Sequence, residues 1–433
     1  MCPAPSDSIK APVPTGRPRY NQSMVLKVAV SPDLIGGDVD EGYGKVADAF
    51  RANFASGHEV GAAIAVYRDG VKVVDLWGGY RNGITKAPWQ DDTMVNMFST
   101  TKGVAALAIA LAASRGLFGY DDKVVDHWPE FAQAGKADVT IRQLLGHQAG
   151  LCVLRPAPTV RDVADPARLS AMLAVQKPAW PPGTRHGYHA ITLGWYESEL
   201  IRRTDPAGRT LGRFFADEIA DPLGLDLHIG LPDSVPRDRI AHLHHWSRAE
   251  SLLHLNALPT GVIAAAINPV GLLTRAGCLP HDVSPWAGDY NRDDVRAIEI
   301  PSANGIGTAG AVAQIYGAAA TGDAALGLAP HVLDELTAEP AAPSRGPRDR
   351  VLHVDVVYSL GLSKPAPLCV FGSSDKAFGT PGFGGSFGFA DPDTGIGFGY
   401  VMNRLGFHLV SDPRELAVRQ SLFRDVLGVR PQA

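Results

Sequence analysis

Residues 93–115 read TMVNMFSTTKGVAALAIALAASR. From Val104 to Ala113 the run is apolar on every side of a helical projection, so the spacing predicts a helix over 99–115 that is buried all round. Its start carries Ser99-Thr100-Thr101-Lys102. The i, i+3 spacing puts the Ser99 hydroxyl and the Lys102 amine on one face of the first turn. The helix N-terminus adds a positive potential that favours an oxyanion on the serine. A serine hydroxyl is a weak nucleophile until a base takes its proton. A lysine removed from water, with a cation close by, gives up its own proton readily enough to be that base. The plain alternative is a serine that merely caps its helix.

The rest of the chain is read outward from this helix. Residues 40–56 carry helical spacing. Ala62–Tyr67 and Val71–Trp77 are β-rich runs separated by Arg68-Asp69-Gly70, a hairpin signal. From 119 to 300, short helical patterns (140–148, 165–176, 191–203 and 210–221) alternate with Pro/Gly loops. A helix is predicted at 308–320. The β signal returns from 355 in VVYSLGL, FGFADP and GIGFGYVMN, and an amphipathic helix follows at 413–427. With β character at both ends and α in the middle, the fold class is α+β: one antiparallel sheet built from both termini, flanked by helices and carrying an all-helical insertion. The expected division is a flexible arm at 1–24, a sheet domain of 25–118 plus 300–433, and a mostly helical domain at 119–299. The arm is rich in Pro, Ser and Ala and lacks the apolar core of a signal peptide.

Composition removes several function classes. Forty basic against 45 acidic residues give a net charge of -5, which argues against a nucleic-acid surface. No long stretch is cleanly apolar. The best candidate, 259–273, is broken by Pro259, Asn268 and Pro269 and is too short to span a bilayer. Cys2, Cys152, Cys278 and Cys369 lie far apart, so neither a disulfide framework nor a zinc site is expected, and a reducing cytoplasm is the default compartment. His242, His244 and His245 have no further ligand at helical spacing and read as surface or interdomain histidines. The run RGPRDR (345–350) reads as a solvated loop. No metal or cofactor is expected, and nothing sets an oligomeric state.

Two further stretches bear on chemistry. Tyr188, in PPGTRHGYHAITLGW (181–195), follows a turn and precedes a helix. A tyrosine sharing a proton with a lysine is a competent general base, and a core aromatic is the alternative. The second stretch is FGTPGFGGSFG (378–388), whose glycines allow close backbone approach of a ligand. Gly384-Gly385-Ser386-Phe387-Gly388 also matches G-x-S-x-G, but the nucleophile elbow needs a helix after the serine. Here a strand, a turn and another strand follow, so Ser386 is expected to belong to the glycine-rich strand.

S-x-x-K, then Tyr188, then the glycine-rich strand resemble, in that order, the serine β-lactamase superfamily, nearest its class C β-lactamases and family VIII carboxylesterases. The resemblance spans about residues 25–425 and extends to LLGHQAGL (144–151), GIGTAGAVAQIY (305–316) and GGSFGFADPDTGIGFGYVMN (384–403). It implies the β-lactamase/penicillin-binding-protein fold, with Ser99 as acylated nucleophile, Lys102 as its base partner and Tyr188 as second base or proton relay. The triplet matching the family's K-T-G or H-x-G is Thr380-Pro381-Gly382, which makes Thr380 and Gly382 substrate-site residues. The second oxyanion donor, beside the Ser99 N–H, is then the Phe383 N–H. No cation stands at 380 to hold a substrate carboxylate, and His189-Ala190 replace the family's x-Asn after the tyrosine. Both departures fit a serine carboxylesterase acting on small or medium acyl esters. A β-lactamase or D-aminopeptidase-type amide hydrolase, an acyltransferase of the same fold, and a non-catalytic member are the rivals.

Overall fold

The turn at Arg68-Asp69-Gly70 forms as its residues predict. Asp69 (φ 50°) and Gly70 (φ 80°) are both left-handed, which makes a primed turn between strands Gly61–Arg68 and Val71–Asn82. The computed structural model describes residues 29–246, 250, 253–284 and 288–430, so the expected arm at 1–24 lies outside it. Named by their first residues, the strands run 35, 71, 61, 396, 387, 378, 362 and 358 across one antiparallel sheet, and Ala87–Pro88 adds a ninth beside 71–82. The N-terminal and C-terminal halves meet where Gly61–Arg68 pairs with Ile396–Met402, Ala62 opposite Met402 and Arg68 opposite Ile396. One sheet built from both ends of the chain is therefore observed.

Alternation along the strands sorts the two faces. Gly388 faces Tyr316 of helix Ala309–Thr321, and the next residue, Phe389, packs on Phe423 with ring centroids 5.9 Å apart. Helices Gly44–Ala55 and Pro413–Gln420 lie on the Phe389 side. The helices Thr100–Ser114 and Ala309–Thr321 lie on the other. The glycines of GIGFGYVMN let that helix lie close. A Cβ on Gly397 would sit 2.1 Å from the Gly317 nitrogen, and one on Gly399 2.5 Å from the Ala309 oxygen. For these two glycines the close neighbour is a helix, not a ligand.

Helix Thr100–Ser114 is buried from Thr100 to Ala113, as its all-round apolar pattern predicts. It is wedged between the sheet and helix Thr192–Thr204. The helical patterns of the middle segment also form, as Ile141–Leu145, Pro166–Val175, Thr192–Thr204 and Leu211–Phe215. One expectation fails. The segment 119–299 is not all-helical, because Leu227–Ile229 is a strand. It pairs with Gly305–Gly307, which pairs in turn with Val95–Asn96. This small sheet ties residues 227–229 to 305–307 and, through them, to 95–96. Three residues are too few for a period-2 pattern to register.

Cys152 and Cys369 are buried free thiols. Cys278 is disulfide-bonded, which the wide spacing of the cysteines did not predict. Among the described residues, no helix is long and apolar enough to cross a membrane.

Candidate active site

Ser99 stands at the N-cap of the buried helix, yet its side chain caps nothing. The capping role, the plain alternative for this serine, is therefore not the one it plays. Phe98, just before it, is left-handed (φ 45°), a strained backbone of the kind that gathers at functional turns. The hydroxyl turns instead to two side chains: Lys102 Nζ lies 3.1 Å from Ser99 Oγ, and the Tyr188 hydroxyl donates to the same oxygen at 2.8 Å. Three residues singled out in the sequence thus meet at one atom.

Lys102 is 1% exposed. Its other two hydrogen bonds run to the backbone oxygens of Ala190 (2.6 Å) and Ser302 (2.9 Å). Ser302 is itself fixed, because its hydroxyl accepts from the Gly194 N–H at 2.7 Å. Burial brings Lys102 down to about 7, and the charge of Glu197 works against that fall. Desolvation alone thus depresses the lysine. Among the described residues its charged neighbour is an acid, Glu197, rather than the nearby cation that would have helped.

Tyr188 is held from behind. Its N–H donates to Asp349 Oδ2 at 2.8 Å, while Asp349 Oδ1 accepts from the N–H groups of Val351 and Leu352. Asp349 is 1% exposed, so the stretch 345–350 is not simply a solvated loop. Burial pushes Asp349 up to about 6, with those three N–H groups pulling the other way. Burial also pushes the Tyr188 phenol up to about 12, although its bond to Ser99 opposes this. At neutral pH the phenol is therefore a hydrogen-bond donor. The Lys102 ammonium position lies 4.8 Å from the Tyr188 ring centroid. His147 is structural, as expected: its Nδ1 accepts from the His189 N–H at 3.0 Å, just past helix Ile141–Leu145.

The glycine-rich strand passes the start of helix Thr100–Ser114. A Cβ on Gly382 would lie 2.4 Å from the Met97 oxygen and 2.1 Å from Ser386 Oγ, so only glycine fits. The Gly382 N–H is spent on the Ser386 oxygen at 2.7 Å. Ser386 is 2% exposed, and its hydroxyl donates to the Met97 oxygen at 2.8 Å. A strand, Phe387–Asp391, follows it. The elbow geometry is absent, and the serine fastens the strand to the residues that lead into helix Thr100–Ser114. Phe383 packs edge-on against Phe98 at 5.3 Å and beside Trp246 at 5.5 Å, and Phe98 also touches Tyr290 at 5.0 Å. An aromatic wall thus stands next to Ser99. Thr380 is buried on the strand with its hydroxyl facing Gly103 and Tyr316, so it packs against the helix.

The histidine trio is not a surface feature throughout. His244 is buried, and its Nε2 accepts from the Gly83 N–H at 3.0 Å. Among the described residues, no group of three or more His, Cys, Asp or Glu side chains could hold a metal. Sequence reasoning missed Asp349 and Glu197, together with the two carbonyls that cage Lys102. An acid inside an otherwise apolar helix face was the available signal for Glu197.

Comparison with known proteins follows this geometry. Residues 46–421 match the family model described as Beta-lactamase. The chain belongs to the beta-lactamase family. Within it, the chain is 34% identical over 374 residues to "Esterase/beta-lactamase LipL" of Mycobacterium tuberculosis (strain ATCC 25618 / H37Rv), covering 85% of this chain and 83% of that one. A solved family VIII carboxylesterase is 36% identical with a TM-score of 0.77, covering 89% and 98% of the two chains. A penicillin-binding protein homolog from Caulobacter crescentus is 39% identical with a TM-score of 0.76, covering 89% and 97%. The β-lactamase/penicillin-binding-protein fold expected from the sequence is the fold of this beta-lactamase family member.

Proposed function

We propose that this protein is a serine carboxylesterase that works through an acyl-enzyme on Ser99. The observation that carries the reading is the approach of Lys102 and Tyr188 to a single oxygen, Ser99 Oγ. Lys102, as the free amine, takes the Ser99 proton while Ser99 Oγ attacks the ester carbonyl. The tetrahedral oxyanion is held by the backbone N–H groups of Ser99 and Phe383. Tyr188 relays the proton to the departing alcohol, and water then attacks the acyl-enzyme by the reverse path. Gly382 keeps the strand close to the nucleophile, and Thr380 supports it from below without offering charge. Relatives named esterases and the aromatic wall beside Ser99 support an uncharged acyl ester of small or medium size. With no cation at 380, a substrate carboxylate has no charge partner there, which disfavours β-lactams and peptide carboxylates.

The test is turnover of a short-chain p-nitrophenyl ester series by wild type, Ser99→Ala and Ser386→Ala. Ser99→Ala is expected to lose at least about a thousandfold in kcat, and Ser386→Ala to retain turnover per folded molecule. A dead Ser386→Ala beside an active Ser99→Ala would overturn the assignment. Nitrocefin turnover matching ester turnover would move the reading to the amide rival.

A further inference from the structure

Helix Thr192–Thr204 carries two buried acids that are treated very differently. Glu199 accepts from Ser170, Arg202 and Arg203 at 2.6 to 2.9 Å. Glu197 is fully buried, and neither carboxyl oxygen has a hydrogen-bond partner. Its carboxyl is lodged between the nucleophile helix and a left-handed glycine. A Cβ on Gly361 (φ 87°) would lie 3.0 Å from Glu197 Oε1 and 3.0 Å from Ala106 Cβ. Ala106 stands one helical turn beyond Lys102 on the same face. A buried carboxyl without partners is costly unless a charge answers it or it stays protonated. The cation within reach is Lys102.

We propose that Glu197 is a positioning residue for the reaction, governing the proton occupancy of Lys102 from one turn behind it. The proposal rests on the reading of Lys102 as the base. Lys102 faces Ser99, Tyr188, His147, His189 and Glu197. Burial keeps His147 well below its ordinary value and His189 at about 3, so neither carries charge at neutral pH. Tyr188 is a neutral phenol there. Glu197 is thus the acid whose charge acts on the lysine. Burial pushes Lys102 down and Glu197 up, each charge opposing the other's shift, so the two titrate as one pair whose ion-paired form is Glu197 carboxylate with Lys102 ammonium. As a carboxylate, Glu197 holds the ammonium form of Lys102. Removing its charge lets the amine form at lower pH.

The experiment is kcat/KM against pH for p-nitrophenyl ester hydrolysis by wild type, Glu197→Gln and Glu199→Gln, with Ser99→Ala alongside. For Glu197→Gln the acid limb is expected to move down by at least about half a pH unit. Expressed against each variant's own plateau, its rate at pH 6 then exceeds wild type by about threefold. Glu199→Gln, a charge deletion two residues away, is expected to leave the limb in place. A Glu197→Gln limb that superimposes on wild type, or moves up, overturns the proposal while leaving the nucleophile reading intact. A merely structural role would lower the melting temperature and leave the limb where it was, which also overturns it. An active Ser99→Ala would show instead that the underlying reading is at fault. Should Glu197→Gln not fold, Glu197→Met deletes the same charge at similar length, and its limb is read by the same criterion.

Discussion

Lys102 and Lys136 are both removed from solvent, and each sets its amine among three oxygens, yet the two cages call for different protonation states. Lys136 Nζ donates to the carbonyls of Gln133, Ala174 and Gln176 at 2.8 to 2.9 Å. Three carbonyls can only accept, so all three N–H bonds of an ammonium are used. Losing a proton there would turn a lone pair against a carbonyl oxygen. Around Lys102 one carbonyl is replaced by the hydroxyl of Ser99. A neutral amine fits that cage: two N–H groups meet two carbonyls, and the lone pair faces a hydroxyl that can donate. Burial lowers both lysines, Lys136 to about 8 and Lys102 to about 7. Burial alone therefore does not make a base. The third oxygen decides whether the deprotonated form has somewhere to point.

The sharpest way to break this contrast is to delete each amine in turn. Lys102→Met is expected to lower kcat by at least about a thousandfold and to lose stability as well, because two buried carbonyls and Glu197 lose their cation. Lys136→Met leaves three buried carbonyls unanswered and should lose about 2–4 kcal/mol of stability in denaturant melts, with kcat per folded molecule retained. Should Lys136→Met lose catalysis while Lys102→Met keeps it, the contrast would be inverted. Next in size, Tyr188→Phe is expected to lower kcat by about a hundredfold while KM changes less than threefold, read from steady-state kinetics. The pH profile sharpens the comparison further. Only the amine form of Lys102 accepts a proton, so kcat/KM should fall about tenfold per unit below pH 7 and level off above it. A profile flat to pH 5 would remove Lys102 from the base role. The smallest effect expected is that of Asp349→Asn. Its amide places an NH2 group where one carboxylate oxygen met an N–H donor, loosening the Tyr188 backbone. A several-fold loss of kcat is expected, with the acid limb unmoved.

The sequence showed most of the architecture because its strongest signals were local. Asp69-Gly70 can take the two left-handed conformations that a tight hairpin needs. The run from Val104 to Ala113 admits only a buried helix. Ser99 and Lys102 were legible for the same reason, being one turn apart on one element. Asp349 was not, since Arg345, Arg348 and Arg350 around it are exposed and its burial depends on meeting the Tyr188 N–H from 161 positions away. Glu197 and Glu199 have nearly the same neighbours in sequence. Only packing against Ala106 and Gly361 leaves one unpartnered while the other meets two arginines. Strand Leu227–Ile229 escaped because it is short and finds its partner at 305–307.

The fastening of Ser386 to the Met97 carbonyl has a consequence in time as well as in space. Met97 and Ser99 are translated early, and Ser386 arrives 289 positions after Met97. Sheet pairing between 61–68 and 396–402 waits longer still. A chain still on the ribosome holds a complete S-x-x-K turn but no wall opposite it. Long-range pairing of this kind closes late, and domains mature as units once their last strands emerge. On the function proposed above, acylation of Ser99 then requires that both halves of the sheet have met.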